Sequence, residues 1–356
     1  MKDKKQYIHF LDREKSGGQS LKMSTTAAPL ALTLAPQQMS IYIGVFFLIT
    51  GVTGGILVLV VFLSLKTFRQ SSCAFYLTIK SIGNISYLMV GLFPFIVSYG
   101  FGINWTIMSI PYCKFRVFYV QLGSLVSVTC TCLAAIDQFL ATCSNPRWHR
   151  WATIKVAHNT MIIVAIILIL YSSPTLILYT HIQSPTTGRI SCTTTNAAYI
   201  WFNFQIHVPV VVSSLPAAIM TLFGLLAYRN VRNIAYRTVP LVRRELDKQL
   251  TSIVLVQVVY DVIFVLMVIV QTIFNAAIGT PTDAYNIALI NFIRIGMTLL
   301  YYFDFVVCFD RTFSHVFLFI SRAHSTSTSV YPNDFVNNSC MSFSPLIPTE
   351  LNLKSN

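Results

Sequence analysis

The sequence predicts an all-α membrane protein: a bundle of seven membrane-crossing helices with a short amphipathic helix after the seventh. Three observations carry that expectation. Hydrophobic residues make up 54% of the 356 and charged residues only 10%, against roughly 25% charged in soluble domains, so the chain cannot clothe a water-facing surface. The apolar residues fall in long blocks separated by short polar stretches, the pattern of helices that satisfy their own backbone inside lipid. Gly54, Gly55, Pro94, Pro174, Pro209, Pro216 and Gly296 lie inside those blocks, a density of breakers that membrane helices tolerate and soluble helices seldom do. A β-barrel would instead alternate apolar and polar residues in segments of about ten. The formal net charge of +13 would point to nucleic acid in a soluble protein. Here the cations sit in loops, where they report membrane topology, and no nucleic-acid partner is expected.

Residues 1–40 read as an extracellular tail, polar at first and then rich in Ser, Thr, Ala and Pro. No apolar core follows its early basic residues, so no cleavable signal peptide is expected. The transmembrane domain is expected over 41–310, with spans at about 41–65, 73–99, 111–142, 153–179, 199–228, 249–276 and 284–309. Lys66, Arg69, Arg147, Arg150 and Lys155 mark one side, together with the basic run Arg229 to Lys248 and with Arg311 and Arg322. The other side carries only Lys114, Arg116 and Arg189 in its loops. The positive side is cytoplasmic, which puts the N-terminus outside and the C-terminus inside a multi-pass plasma-membrane protein. Asn104-Trp105-Thr106 is then an outward-facing glycosylation sequon. Residues 311–322, with Phe313, Val316, Phe317 and Ile320 at helical spacing, predict an amphipathic helix on the inner leaflet lipid. Residues 323–356 read as a disordered cytoplasmic tail.

The third span organises the rest. Cys113 opens it, and Asp137 lies 24 positions further on. As a helix that separation is roughly 36 Å, longer than the ~30 Å hydrocarbon core, so Cys113 stands near the outer face and Asp137 near the inner one. Cys192 lies in the outer loop between spans four and five. Two cysteines on the oxidising side are expected to pair, tying that loop across the mouth of the bundle. Cys143 faces the reducing side, and Cys73, Cys130, Cys132 and Cys308 fall in apolar stretches as small buried hydrophobes.

Seven spans, a cysteine at the top of the third, a partner in the second outer loop and an acidic tripeptide below make the chain resemble a rhodopsin-like G-protein-coupled receptor over about residues 40–322. Within that class, DQFLATCSNPRWHRW and LPAAIMTLFGLLAYRNVRN are most similar to invertebrate orphan receptors near the FMRFamide-type neuropeptide receptors. The family's Asp-Arg-Tyr corresponds to Asp137-Gln138-Phe139, the expected G-protein coupling residues. In the family the arginine is held by the acid at rest and reaches the G protein when active; Gln138 hydrogen-bonds without charge, so the ionic latch is absent. The family's span-two aspartate corresponds to Asn84, and its Asn-Pro-x-x-Tyr to Asp304-Phe305-Val306-Val307-Cys308, without the proline and tyrosine. The resemblance implies that Asn84 and Asp304 exchange roles, forming a polar core in which Asn84 or a sodium ion partners the carboxylate. The other reading leaves Asp304 near the inner interface. No other cofactor and no metal is implied.

Subtraction narrows the ligand. The position where amine receptors carry an aspartate is Val120, followed by Gln121, and span seven has no lysine for a retinal Schiff base. A peptide or other small extracellular ligand remains. Its candidate contacts are Val120, Gln121, Trp201, Arg294 and the intramembrane Asp261, the last also readable as a structural hydrogen-bonding group. Lys80 lies close enough to the inner face to snorkel. The expected partners are therefore an extracellular ligand and a heterotrimeric G protein. A receptor that does not couple, acting as decoy or dimer partner, is the alternative. A seven-helix transporter is disfavoured by the lack of internal repeats. No HExxH, GxSxG or phosphate-binding glycine loop points to an enzyme.

Overall fold

The computed structural model describes residues 30–306, apart from 65, 144, 184–189, 235–250, 253, 257, 261, 264, 265, 268, 271, 272, 274–284 and 304. The chain divides into Met1–His315 and Val316–Asn356, and every described residue belongs to the first unit. The amphipathic helix and tail expected after residue 310 lie outside the described residues, as do Asp261 and Asp304.

Six helices among the described residues are long and apolar enough to cross a membrane. Residues 251–273, helical at every described position, supply the remaining span, and the architecture is the predicted seven-helix bundle. The first helix runs Leu30–Ser64 and so begins inside the stretch expected to be tail. Leu30, Ala31, Leu32, Leu34 and Ala35 are strong helix formers, and they carry the helix through Pro36 at the loss of one ladder bond. Gln37 Nε2 donates to the Gly100 carbonyl at 2.8 Å, pinning the top of span one to the end of span two.

Span two, Ser72–Phe101, starts where the Ser71 side chain accepts from the Ala74 amide. It is widened to a π-turn at Leu88–Leu92, which lets Pro94 follow without breaking the rod. It stops at Gly102, whose φ of 73° is the left-handed cap that glycine adopts at least cost. A short helix, Trp105–Met108, is capped by Asn104, and span three, Ile110–Thr142, by Ser109. Span four, Ile154–Leu178, turns Ile162, Ile163, Ile166, Ile167 and Leu170 outward, the apolar face that lipid rather than water would cover. Strands β1 (Thr180–Gln183) and β2 (Ile190–Thr193) pair antiparallel, with His181 opposite Cys192. Span five, Ala197–Arg232, contains a second π stretch at Asn203–Ser214 around Pro209. Span seven is Tyr285–Phe303, helical on to residue 306 apart from the undescribed 304.

Span three is the central rod, packed against spans two, four and five and against the hairpin. Cys73, Cys130 and Cys132 are buried. Spans two and seven meet through Tyr87, which stacks on Phe305 with centroids 4.2 Å apart.

Candidate functional site: two cavities under the hairpin and a polar inner end

At the outer end Cys113 is bonded to Cys192, with Cα atoms 5.9 Å apart. His181, opposite Cys192 on β1, places Nε2 2.7 Å from the Thr106 carbonyl. The hairpin is thus held both to span three and to the short helix before it. Tyr179, just beyond span four, meets Tyr199 edge-on, and burial pushes its phenol above the usual range, keeping it neutral.

Two cavities lie below. One, about 430 Å³, sits directly beneath the hairpin. It is bordered by Tyr99, Asn104, Thr106, Ser191, Thr298 and Tyr302 among others. The second, about 270 Å³, lies between spans three, five and seven and is lined by Val120, Gln121, Asn203, His207 and Tyr301 among others. Arg116 and Val117 line both.

Sequence reasoning counted Arg116 as a loop charge marking the outer side. It instead occupies the second turn of span three, because Ser109 caps that helix well before it. Its Nη2 donates to the Gly91 carbonyl at 3.1 Å, inside the widened turn of span two, and its guanidinium lies near the Tyr302 hydroxyl. A Cβ at Gly91 would come within 3.1 Å of that hydroxyl, tight enough that the Tyr302 ring would have to give by a few tenths of an ångström. His207, hydrogen-bonded to Tyr171 at 2.9 Å, is a second lining residue not anticipated from sequence. The only signal for either was a polar residue at cavity-facing phase in an otherwise apolar helix.

The anticipated ligand contacts divide. Val120 and Gln121 line the smaller cavity, and the Gln121 Oε1 accepts from the Tyr199 hydroxyl at 3.2 Å. Trp201 is 60% exposed and Arg294 is exposed; neither is among the described residues lining either cavity. Their helical phase turns them to the outside of the bundle. Asn104 accepts from the Thr106 amide at 3.1 Å and from its hydroxyl, so the sequon's asparagine also serves as a helix cap.

At the inner end the Ser72 hydroxyl donates to the Asp137 carboxylate, 2.7 Å from each oxygen. Gln138, 1% exposed, accepts through Oε1 from the Thr251 hydroxyl at 3.3 Å. This is a neutral link between spans three and six. Phe139 packs on Phe223 of span five, centroids 5.5 Å apart.

Lys80 corrects the snorkelling expectation. It is 5% exposed, and its Nζ donates to Thr131 Oγ1 of span three at 2.8 Å. The side chain points into the bundle because its helical phase is that of Asn84, one turn on. Both polar atoms of the Asn84 amide are buried without a hydrogen bond. Asp304, the carboxylate expected to share this face and its sodium ion, lies outside the described residues.

No curated protein matches the chain. The family model described as "7 transmembrane receptor (rhodopsin family)" matches residues 54–320, from the first span to beyond the seventh. With its bundle, bonded third span and capped outer cavities, the chain belongs to that receptor family and is not an enzyme.

Proposed function

We propose that the protein passes the signal of an extracellular peptide to a cytoplasmic heterotrimeric G protein. The observation that supports a ligand entering from outside is the pair of cavities under the hairpin, both reached by Arg116. A chamber of this size, bordered by side-chain hydroxyls and amides, suits a polar backbone better than a purely apolar guest. The ligand shifts the equilibrium between helix arrangements only by its differential affinity for them. Parting of spans three and six would break the Gln138–Thr251 bond and open the inner face to a G protein. The N-terminus lies outside and the protein resides in the plasma membrane.

One observation favours a second reading. Gln138 brings no charge to the inner face, so a receptor that binds ligand without coupling, as a decoy or dimer partner, fits the same geometry. A peptide-library screen on cells carrying G-protein biosensors, with ligand binding measured in parallel, separates the two. Binding with a biosensor response supports coupling. Binding without any response supports the silent receptor, and no binding by any peptide refutes the peptide reading.

A further inference from the structure

The observation is a guanidinium inside the bundle with no carboxylate beside it among the described residues. Among the described residues the only acidic side chain is Asp137, 21 positions along the same helix from Arg116, or about 32 Å. Arg116 donates to a carbonyl and lies near a phenol hydroxyl, and its Nε is buried without a hydrogen bond. The other described cations of the outer half, Lys114 and Arg294, add positive charge. Arg116 is half-buried and lines both cavities, where a cation attracts an anion more strongly than on the open surface. The Gly91 carbonyl holds the guanidinium at the junction of the two cavities.

Resting on the receptor reading above, we infer that the ligand carries a carboxylate and that Arg116 receives it. The planar fork takes a carboxylate in two parallel hydrogen bonds. The rest of the ligand extends from that anchor in two directions. One runs into the smaller cavity against Gln121, His207 and Tyr301, and the other runs beneath the hairpin against Tyr99, Thr106 and Ser191. The larger chamber is bordered by hydroxyl and amide groups and would bury an acyl chain badly. The carboxylate is therefore that of a peptide, at its C-terminus or on an acidic side chain, rather than the phosphate of a lipid.

The test uses the full-length receptor in nanodiscs and reads its thermal stability, which needs no G protein. The probes are short peptides of random internal sequence, each made twice, as the C-terminal acid and as the amide, with and without one internal Glu. A lysophosphatidate is the lipid control. Peptides carrying a carboxylate are expected to raise Tm while their uncharged counterparts do not. Arg116→Gln should lose affinity for them about 30-fold or more, and Arg116→Lys, which keeps the charge and guards against a folding defect, should retain part of it. The inference is overturned if no acid outperforms its amide, if the lysophosphatidate alone stabilises, or if Arg116→Gln binds as the parent does. It is equally overturned if Asp261→Asn raises the affinity for the carboxylate peptides, since the cation would then have had an internal partner. Carboxylate-selective binding with no biosensor response leaves this inference standing and sinks only the coupling reading.

Discussion

Replacing Thr251 by Val deletes one hydroxyl and almost nothing else. The side chain keeps its branched shape at a position 2% exposed, so packing is preserved. The loss includes the 3.3 Å bond to Gln138 Oε1. A neutral bond of that length contributes about 0.5–1 kcal/mol net, and leaving the buried amide oxygen without its donor raises the cost to about 1–3 kcal/mol. That penalty falls only on the arrangement in which spans three and six touch. In an opened arrangement Gln138 meets water and owes nothing. The closed-to-open equilibrium therefore shifts toward open by about fivefold at 1 kcal/mol and tenfold at 1.4. Gln138→Arg should act in the same direction, because a guanidinium has no acceptor for the Thr251 hydroxyl. The assay is basal biosensor output per surface receptor. A second reading comes from an environment-sensitive dye on Cys143, which is half-buried, with Cys308 and Cys340 replaced by Ser. Thr251→Val and Gln138→Arg should each raise basal output and move the dye to water. If Thr251→Val reaches the surface normally and changes neither reading, the neutral link does not hold the inner end closed.

Three further outcomes are expected. The Cys113–Cys192 bond spans 79 residues; because lipid keeps spans three and four in place, the segment freed by reduction behaves more like a 15-residue loop, worth about 3 kcal/mol. Cys192→Ser should sharply lower surface expression and Tm, with the Cys113→Ser double variant no worse; wild-type behaviour would count against a stabilising bond. Glycosidase treatment should reduce the mass of the protein from eukaryotic cells but not that of Asn104→Gln, and an unglycosylated wild type would speak against an outward loop. If a sodium ion sits between Asn84 and Asp304, exchanging NaCl for choline chloride should lower Tm, and an unchanged Tm would count against the ion.

The expectation for Lys80 failed in an informative way. Its distance from the inner end, read along the chain, allowed a long stem to reach water. The helical phase was equally visible, but nothing in one sequence said that Thr131 of another helix would stand 2.8 Å from the ammonium. Trp201 and Arg294 show the converse. Their residue types suit ligand contact, yet a type carries no information about which way a helix is rotated in its bundle.

Two kinds of determination are separable here. Long apolar blocks, their number and the scarcity of charge are one-dimensional properties, and solvation physics converts them directly into seven lipid-spanning helices. Asp137-Gln138-Phe139 could likewise be located from its 24-residue offset below Cys113, because helix rise is constant. The partners of these residues could not. That Ser72 holds Asp137, that Thr251 holds Gln138, and that Arg116 stands at the junction of two cavities depend on the rotation and tilt of whole helices. Those are fixed by side-chain packing between elements distant in sequence, at a π-widened turn in span two and a glycine pressed against Tyr302. Hydropathy is a sum over neighbours in the chain; a binding site is a meeting of strangers in space, and only the folded bundle brings them together.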